Sequence, residues 1–335
     1  MSLLLRPLLY YALFLSLVPT FSQSQTARGL IYSATADFRH DSIPTARDAL
    51  IARGQSIDIL FDVTEDPTRF TDAGLTPYDL LVFLMNTGEA VLDEAGKAAL
   101  QRYLDLGGNF VAIHSASDCL RNTTFYGREV GAFFDYHPLI QNATVDVIDA
   151  SHPSTNMLPA QWSVQDEFFL DRYNFKSDPR SVGAVVVLSA NESSYLDPGP
   201  RRFDQGTPHP TAWYQERGAG VENGGILGRS FYTSLGHLNQ TWQDDLFLGH
   251  VAGGIFWALQ SNTTRAFNSS GQVGNPGTLP GTASGPATTI SRSNPSSSPG
   301  TSGTSRHVCF PSTPSNSLDI GVVLKFLERT HARVH

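Results

Sequence analysis

The stretch GGNFVAIHSA, residues 107–116, decides how this chain folds. Two glycines end whatever precedes them. Phe110, Val111, Ala112 and Ile113 follow without a polar break, and His114 and Ser115 come directly after. An apolar run bounded in this way reads as a strand covered on both faces. Upstream, Glu94 to Leu106 is amphipathic and stops at Gly107-Gly108, as a helix does. Helix, stop, buried strand and polar loop make one unit of a wound α/β sheet.

The same alternation runs through the neighbouring sequence. Gly29 to Ala34 reads as a first strand, and Ile57, Ile59 and Phe61 alternate as a second. Leu80 to Met85 is another continuous apolar run, and Val185 to Leu188 and Ser230 to Leu235 resemble later strands. Between the first two, Ser42 suits a helix cap, Pro44 its first turn and Gly54 its end. Asp244 and Asp245 open a helix that runs to Leu259, where carboxylates favour the helix dipole. The expected fold is α/β, a doubly wound and mostly parallel sheet with helices on both faces.

The 335 residues allow two domains, or one domain with tails. The formal charge of −8 gives nothing in favour of nucleic acid or anionic membrane, which both need a basic face. Residues 1–24 read as a signal peptide: Arg6, an apolar run from Leu8 to Val18, then Thr20, Ser22 and Ser24. Cleavage is expected after Ser22 or Ser24, with a signal anchor as the alternative. No later stretch is long and apolar enough for a membrane helix. The body is expected over 28–260. A stalk rich in Ser, Thr, Gly and Pro is expected over 261–305, and a C-terminal tail over 306–335. Neither can bury enough apolar surface to offset its ordering entropy, so both are expected to be disordered. The end carries Lys325, Glu328, Arg329 and Arg333 in place of an apolar anchor signal. A secreted, extracellular protein without a membrane anchor is the expectation.

Sequons agree with that placement. They begin at Asn122, Asn142, Asn191, Asn239, Asn262 and Asn268. Asn239 is the exception, expected to cap the last helix and to stay unmodified. Cys119 and Cys309 are the two cysteines. They exclude a cysteine metal site by number, and Cys119 reads as a buried, inert thiol.

Ligands of open α/β sheets bind beyond the carboxyl ends of the strands. The residues there include His40 and Asp41, then Thr87 and Glu89, then His114 and Ser115, and finally His237. Asp166, Glu167 and His209 lie on connecting segments. Several histidines and carboxylates arriving at one sheet edge suit acid–base chemistry or metal ligation. His114, His237 and a carboxylate from Asp166-Glu167 are candidates to share a divalent metal, for which zinc or iron would be suitable. No close-spaced ligand motif decides this, and the cofactor stays open. Ser115 as nucleophile with His237 as base is an alternative, without the Gly-x-Ser-x-Gly elbow.

FRHDSIP (38–44), GGNFVAIHSA (107–116), PHPTAWY (208–214) and FYTSLGHLNQTW (231–242) resemble motifs of the trehalose-utilisation, or ThuA-like, family. GGIFWAL (253–259) is similar to the family's last helix. The resemblance is nearest to secreted eukaryotic members. It implies a flavodoxin-like sheet related to class I glutamine amidotransferases, and a role in disaccharide or keto-sugar metabolism. The amidotransferase cysteine turn holds His114 and Ser115 here, which speaks against amide hydrolysis through a thiolate.

The resulting expectation is acid–base chemistry on a carbohydrate, as isomerisation or hydrolysis. His114 and His237 would move protons and Glu167 would orient them. His40, Asp41, Thr87, Glu89, Ser115, Asp166 and His209 would bind substrate. The alternatives are a non-catalytic sugar-binding or surface glycoprotein and an amidohydrolase. Tyr126, Phe133, Tyr136 and Trp242 are candidates for a sugar-stacking platform.

Overall fold

Leu80–Leu84 and Asn109–Ile113 are buried at every position, as central strands covered on both faces must be. The computed structural model describes residues 26–138, 141–163, 174–222, 224–268, 270–271 and 273. Residues 1–25, on which the signal-peptide expectation falls, the chain beyond residue 273, Cys309, Asp166 and Glu167 lie outside the described residues.

The strands of the main sheet are β1 (Ala27–Tyr32), β2 (Ile59–Thr64), β3 (Leu80–Leu84), β4 (Asn109–Ile113), β5 (Thr144–Val147), β6 (Gln161–Ser163), β7 (Val185–Ala190), β8 (Pro210–Gln215) and β9 (Ser230–Thr233). They form one sheet in the order β2-β1-β3-β4-β9-β8-β7-β5-β6. The half from β2 to β9 pairs parallel. The half from β9 to β6 pairs antiparallel. Leu84 and Thr233 both stand opposite Ile113. That register brings the carboxyl ends of β3, β4 and β9 level, so their loops rise at one edge.

Among the described residues, the helices of seven or more residues that cover the sheet are α1 (Ile43–Gly54), α2 (Glu94–Asp105), α3 (Thr124–Val130) and α4 (Asp245–Leu259). Ile43 and Leu50 of α1 join Phe247 and Ile255 of α4 in the core of one face. Leu100 and Leu104 of α2 join Tyr126 and Val130 of α3 on the other. The doubly wound α/β architecture is therefore present, extended by the antiparallel half.

Several local expectations are corrected. Ser42 does not cap α1 with its side chain; its hydroxyl donates to His237 O at 2.5 Å. Gly54 closes α1 in ordinary helical geometry, and Asp58 takes the left-handed turn at φ 54°. Asp244 rather than Asn239 caps α4, accepting from Phe247 N at 2.7 Å. Tyr126 and Trp242 are core residues, which removes them from any stacking platform.

Packing continues past Gln260. Ser261, Thr263, Thr264 and Val273 are buried. Thr264 Oγ1 accepts from Asn109 Nδ2 at 2.9 Å, and Arg265 donates to Pro77 O at 3.2 Å. Serine and threonine at these positions are buried with polar partners, so their composition alone is not a stalk signature. Among the described residues no helix is long and apolar enough to cross a membrane.

Candidate functional site

His114 is the first residue after β4 and adopts φ 58°. A left-handed backbone at a non-glycine residue is strained, and here it forms the sharp turn at the strand end. The turn aims the imidazole along the sheet edge. His114 Nδ1 donates to Ser234 O at 2.7 Å, which fixes the neutral tautomer and leaves Nε2 with its lone pair. His114 Nε2 then lies 3.1 Å from His40 Nε2 and 3.2 Å from His237 Nδ1. One lone pair cannot serve two ring N–H donors well. Three lone pairs turned toward a shared cation resolve the same geometry.

The cluster is held from several sides. Ser115 Oγ stands 3.4 Å from His40 Nδ1. Tyr232 OH donates to His114 O at 2.9 Å. Trp242 Nε1 donates to Gly236 O at 2.8 Å. Gly236 adopts φ 121°, and an added Cβ would stand 3.2 Å from the Trp242 ring; glycine permits the turn that presents His237. Burial, then the neighbouring His40 and His237, hold the His114 pKa well below the ordinary histidine value. A neutral imidazole is the form that ligates metal. Among the described residues these three histidines form the group able to hold a metal ion, their ligand atoms within 4.8 Å of one another.

His40, His114, Ser115 and His237 thus come together. Asp41 is exposed beside His40. Thr87 and Glu89 each have partners within the protein. The Thr87 hydroxyl donates to Phe38 O at 2.5 Å. The Glu89 carboxylate accepts from Lys97 Nζ at 2.9 Å and from Asn122 N at 3.1 Å. His209 belongs to another group, with Nδ1 at 3.1 Å from both Tyr195 OH and Glu192 Oε1. The sequence set His40 at this edge as a substrate-binding residue; what it did not give is the 3.1 Å approach of His40 to His114, which makes it a third imidazole of the cluster. Cys119 is buried, and that burial pushes its thiol up to about 12, so it is no nucleophile.

Residues 28–258 match the sequence model of ThuA, described as trehalose utilisation. No match appears among curated protein sequences. A ThuA-like protein from Bacteroides uniformis shares 19% identity at TM-score 0.57, covering 74% of this chain and 97% of that one. A ThuA-like protein from Parabacteroides merdae shares 16% identity at TM-score 0.50, covering 70% and 91%. A glutamine amidotransferase from Thermotoga maritima shares 13% identity at TM-score 0.40, covering 70% and 99%.

Proposed function

The chain belongs to the ThuA family, and from that premise we propose that the histidine cluster acts on a carbohydrate, a disaccharide or keto-sugar, with a divalent metal held by His40, His114 and His237. The observation that carries this is the convergence of three imidazole nitrogens on one point at a sheet edge. The donor set fits zinc or iron, both of which accept imidazole. Such an ion would act as a Lewis acid toward a sugar hydroxyl or carbonyl oxygen. His114 keeps its Nδ1 proton on Ser234 O and presents Nε2. This favours a ligand role for His114 over the proton transfer expected of it. His237 is set by Gly236 and by Ser42, and His40 by Ser115.

The reading includes secretion, as a eukaryotic-type glycoprotein. Residues 1–24 carry the signal-peptide pattern. Asn122, Asn142 and Asn262 are exposed, as a glycan requires.

Metal analysis of the purified chain tests the cluster. About one zinc or iron per chain is expected, lost in the triple His40→Ala, His114→Ala, His237→Ala variant. Metal content that the triple variant leaves unchanged would remove the site. Turnover screens on trehalose and keto-disaccharides separate enzyme from lectin. Sugar binding without turnover, undiminished in the triple variant, would favour a non-catalytic sugar-binding protein.

A further inference from the structure

The chain from Tyr195 to His209, between β7 and β8, contains no helix or strand. Irregular segments of this length inside a domain usually serve binding. This one is internally organised. Asp197 accepts from Tyr136 OH, Asn174 Nδ2 and Gly199 N. Arg201 pairs with Glu192 at 2.6 Å, and Glu192 meets His209 at 3.1 Å.

The segment folds back over the carboxyl end of β7 and forms one wall of a cleft of about 330 Å³ that is open to solvent. That lies at the small end of the range for ligand pockets. Its lining includes Asp146, Glu192, Arg201, Phe203, Asp204 and His209. Three carboxylates against one guanidinium disfavour an anionic ligand. Carboxylates and a guanidinium do suit a ligand with neighbouring hydroxyls, which both donate and accept. Phe203 is 44% exposed, an apolar ring left in water at a polar cavity. Such a ring suits the C–H face of a pyranose. β7 and β4 are three strands apart, so the cavity and the histidine cluster sit roughly 15 Å apart along the same edge, at about 4.8 Å per strand.

We propose that this cavity is a second sugar subsite, binding a neutral hexopyranose ring remote from the histidine cluster. It rests on the carbohydrate reading above and adds a separate ring-binding place on the same edge, one that a disaccharide bound at the histidines would not reach. Phe203 stacks on the ring, while Glu192 and Asp204 accept its hydroxyls.

Saturation-transfer NMR on the full chain tests it, with D-glucose, D-galactose and D-mannose as probes. At least one should receive saturation from the wild-type protein and from His114→Ala. The effect should fall tenfold or more in Phe203→Ala and in Glu192→Gln, and Phe203→Tyr should restore it. Melting curves within a few degrees of wild type would show that the variants fold. Saturation lost in His114→Ala and kept in Phe203→Ala would overturn the subsite and leave the carbohydrate reading standing. No saturation of any hexose or of trehalose by the wild-type protein would overturn both. Calcium that raises the melting temperature only while Glu192 is intact, with no hexose effect, would make the cavity a cation site and overturn the proposal.

Discussion

Ser42 Oγ donates to the carbonyl oxygen of His237 at 2.5 Å, so the residue two places after His40 holds the loop that carries another member of the same cluster. The bond joins loops that lie 195 residues apart in sequence. Ser42→Ala removes it without touching an imidazole. Its cost to folding should be about 1 kcal/mol, the net worth of one neutral hydrogen bond. Its cost to the site should be larger, about 10- to 100-fold in zinc affinity, as for other groups that orient ligands. Competition against a zinc-binding dye measures it. Unchanged affinity would mean that His237 needs no such support.

The segment after Gln260 should matter for stability. A chain ending at Gln260 leaves Asn109 Nδ2 without Thr264, leaves Asp79 without Arg265 nearby, and uncovers the place of Val273. One buried apolar side chain and two polar contacts sum to about 3 kcal/mol. At this size that lowers the melting temperature by roughly 6 to 12 °C. A chain ending after residue 273 should melt with the full protein. Equal melting of both truncations would show that the contacts contribute nothing.

His250 makes the fold sensitive to acid. It is fully buried, with Nδ1 donating to Ser154 O at 2.9 Å and Nε2 3.0 Å from Thr233 Oγ1. Burial lowers its pKa to about 4 from 6.5. The folded state therefore binds fewer protons between those values. The stability it contributes is present above pH 6.5 and lost as pH falls through about 4, some 3 kcal/mol in all. His250→Gln keeps a donor and an acceptor but does not titrate. Urea midpoints from pH 4 to 7 should slope less in the variant, and parallel slopes would refute the assignment.

Glu129 works in the opposite direction. It is 1% exposed and accepts from Gly220 N at 2.8 Å. Burial pushes its pKa from 4.5 up to about 7. Its contribution is fully present below pH 4.5 and lost as pH rises through about 7, when the buried carboxyl must ionise. Glu129→Gln keeps the acceptor for Gly220 and removes the loss. The variant should match wild type near pH 4.5 and exceed it by about 1 to 3 kcal/mol at pH 8. A difference that does not vary with pH would count against burial as the cause. Glu129 and His250 slope against each other, so the single variants are needed to see either.

The parallel half of the sheet was legible because its central strands are unbroken apolar runs, Leu80 to Leu84 and Phe110 to Ile113. Thr144–Val147 and Gln161–Ser163 were not, since short strands with polar residues have no distinct period. His40, His114 and His237 were all read at this edge because each follows a strand of the parallel half, but the direct approach of His40 to His114 was not legible. His40 stands eight places after Tyr32, on a loop whose return to the edge depends on Thr87 holding Phe38 O. That contact is tertiary and leaves no local pattern. The same holds for Glu89, whose partners are Lys97 and Asn122.

Asn239 should remain unglycosylated although Asn239-Gln240-Thr241 is a sequon. Its role differs from the helix cap suggested by the sequence. Asn239 Oδ1 accepts from Thr45 Oγ1 at 2.5 Å, which ties the His237 loop to α1 alongside the Ser42 bond. The residue is half-buried, and Thr241, which completes the sequon, is fully buried. A glycan on the side-chain nitrogen would have to leave through the contact between the loop and α1. Asn122, Asn142 and Asn262 are exposed and should carry the glycans instead. Peptide mapping by mass spectrometry of the chain expressed in a glycosylating host decides between them. Asn239→Gln offers a second readout: it removes the sequon and strains the Thr45 contact, so zinc affinity should drop while total glycan mass stays the same. High occupancy at Asn239 would show that this loop opens during synthesis, and would take away the rigid seat assigned to His237.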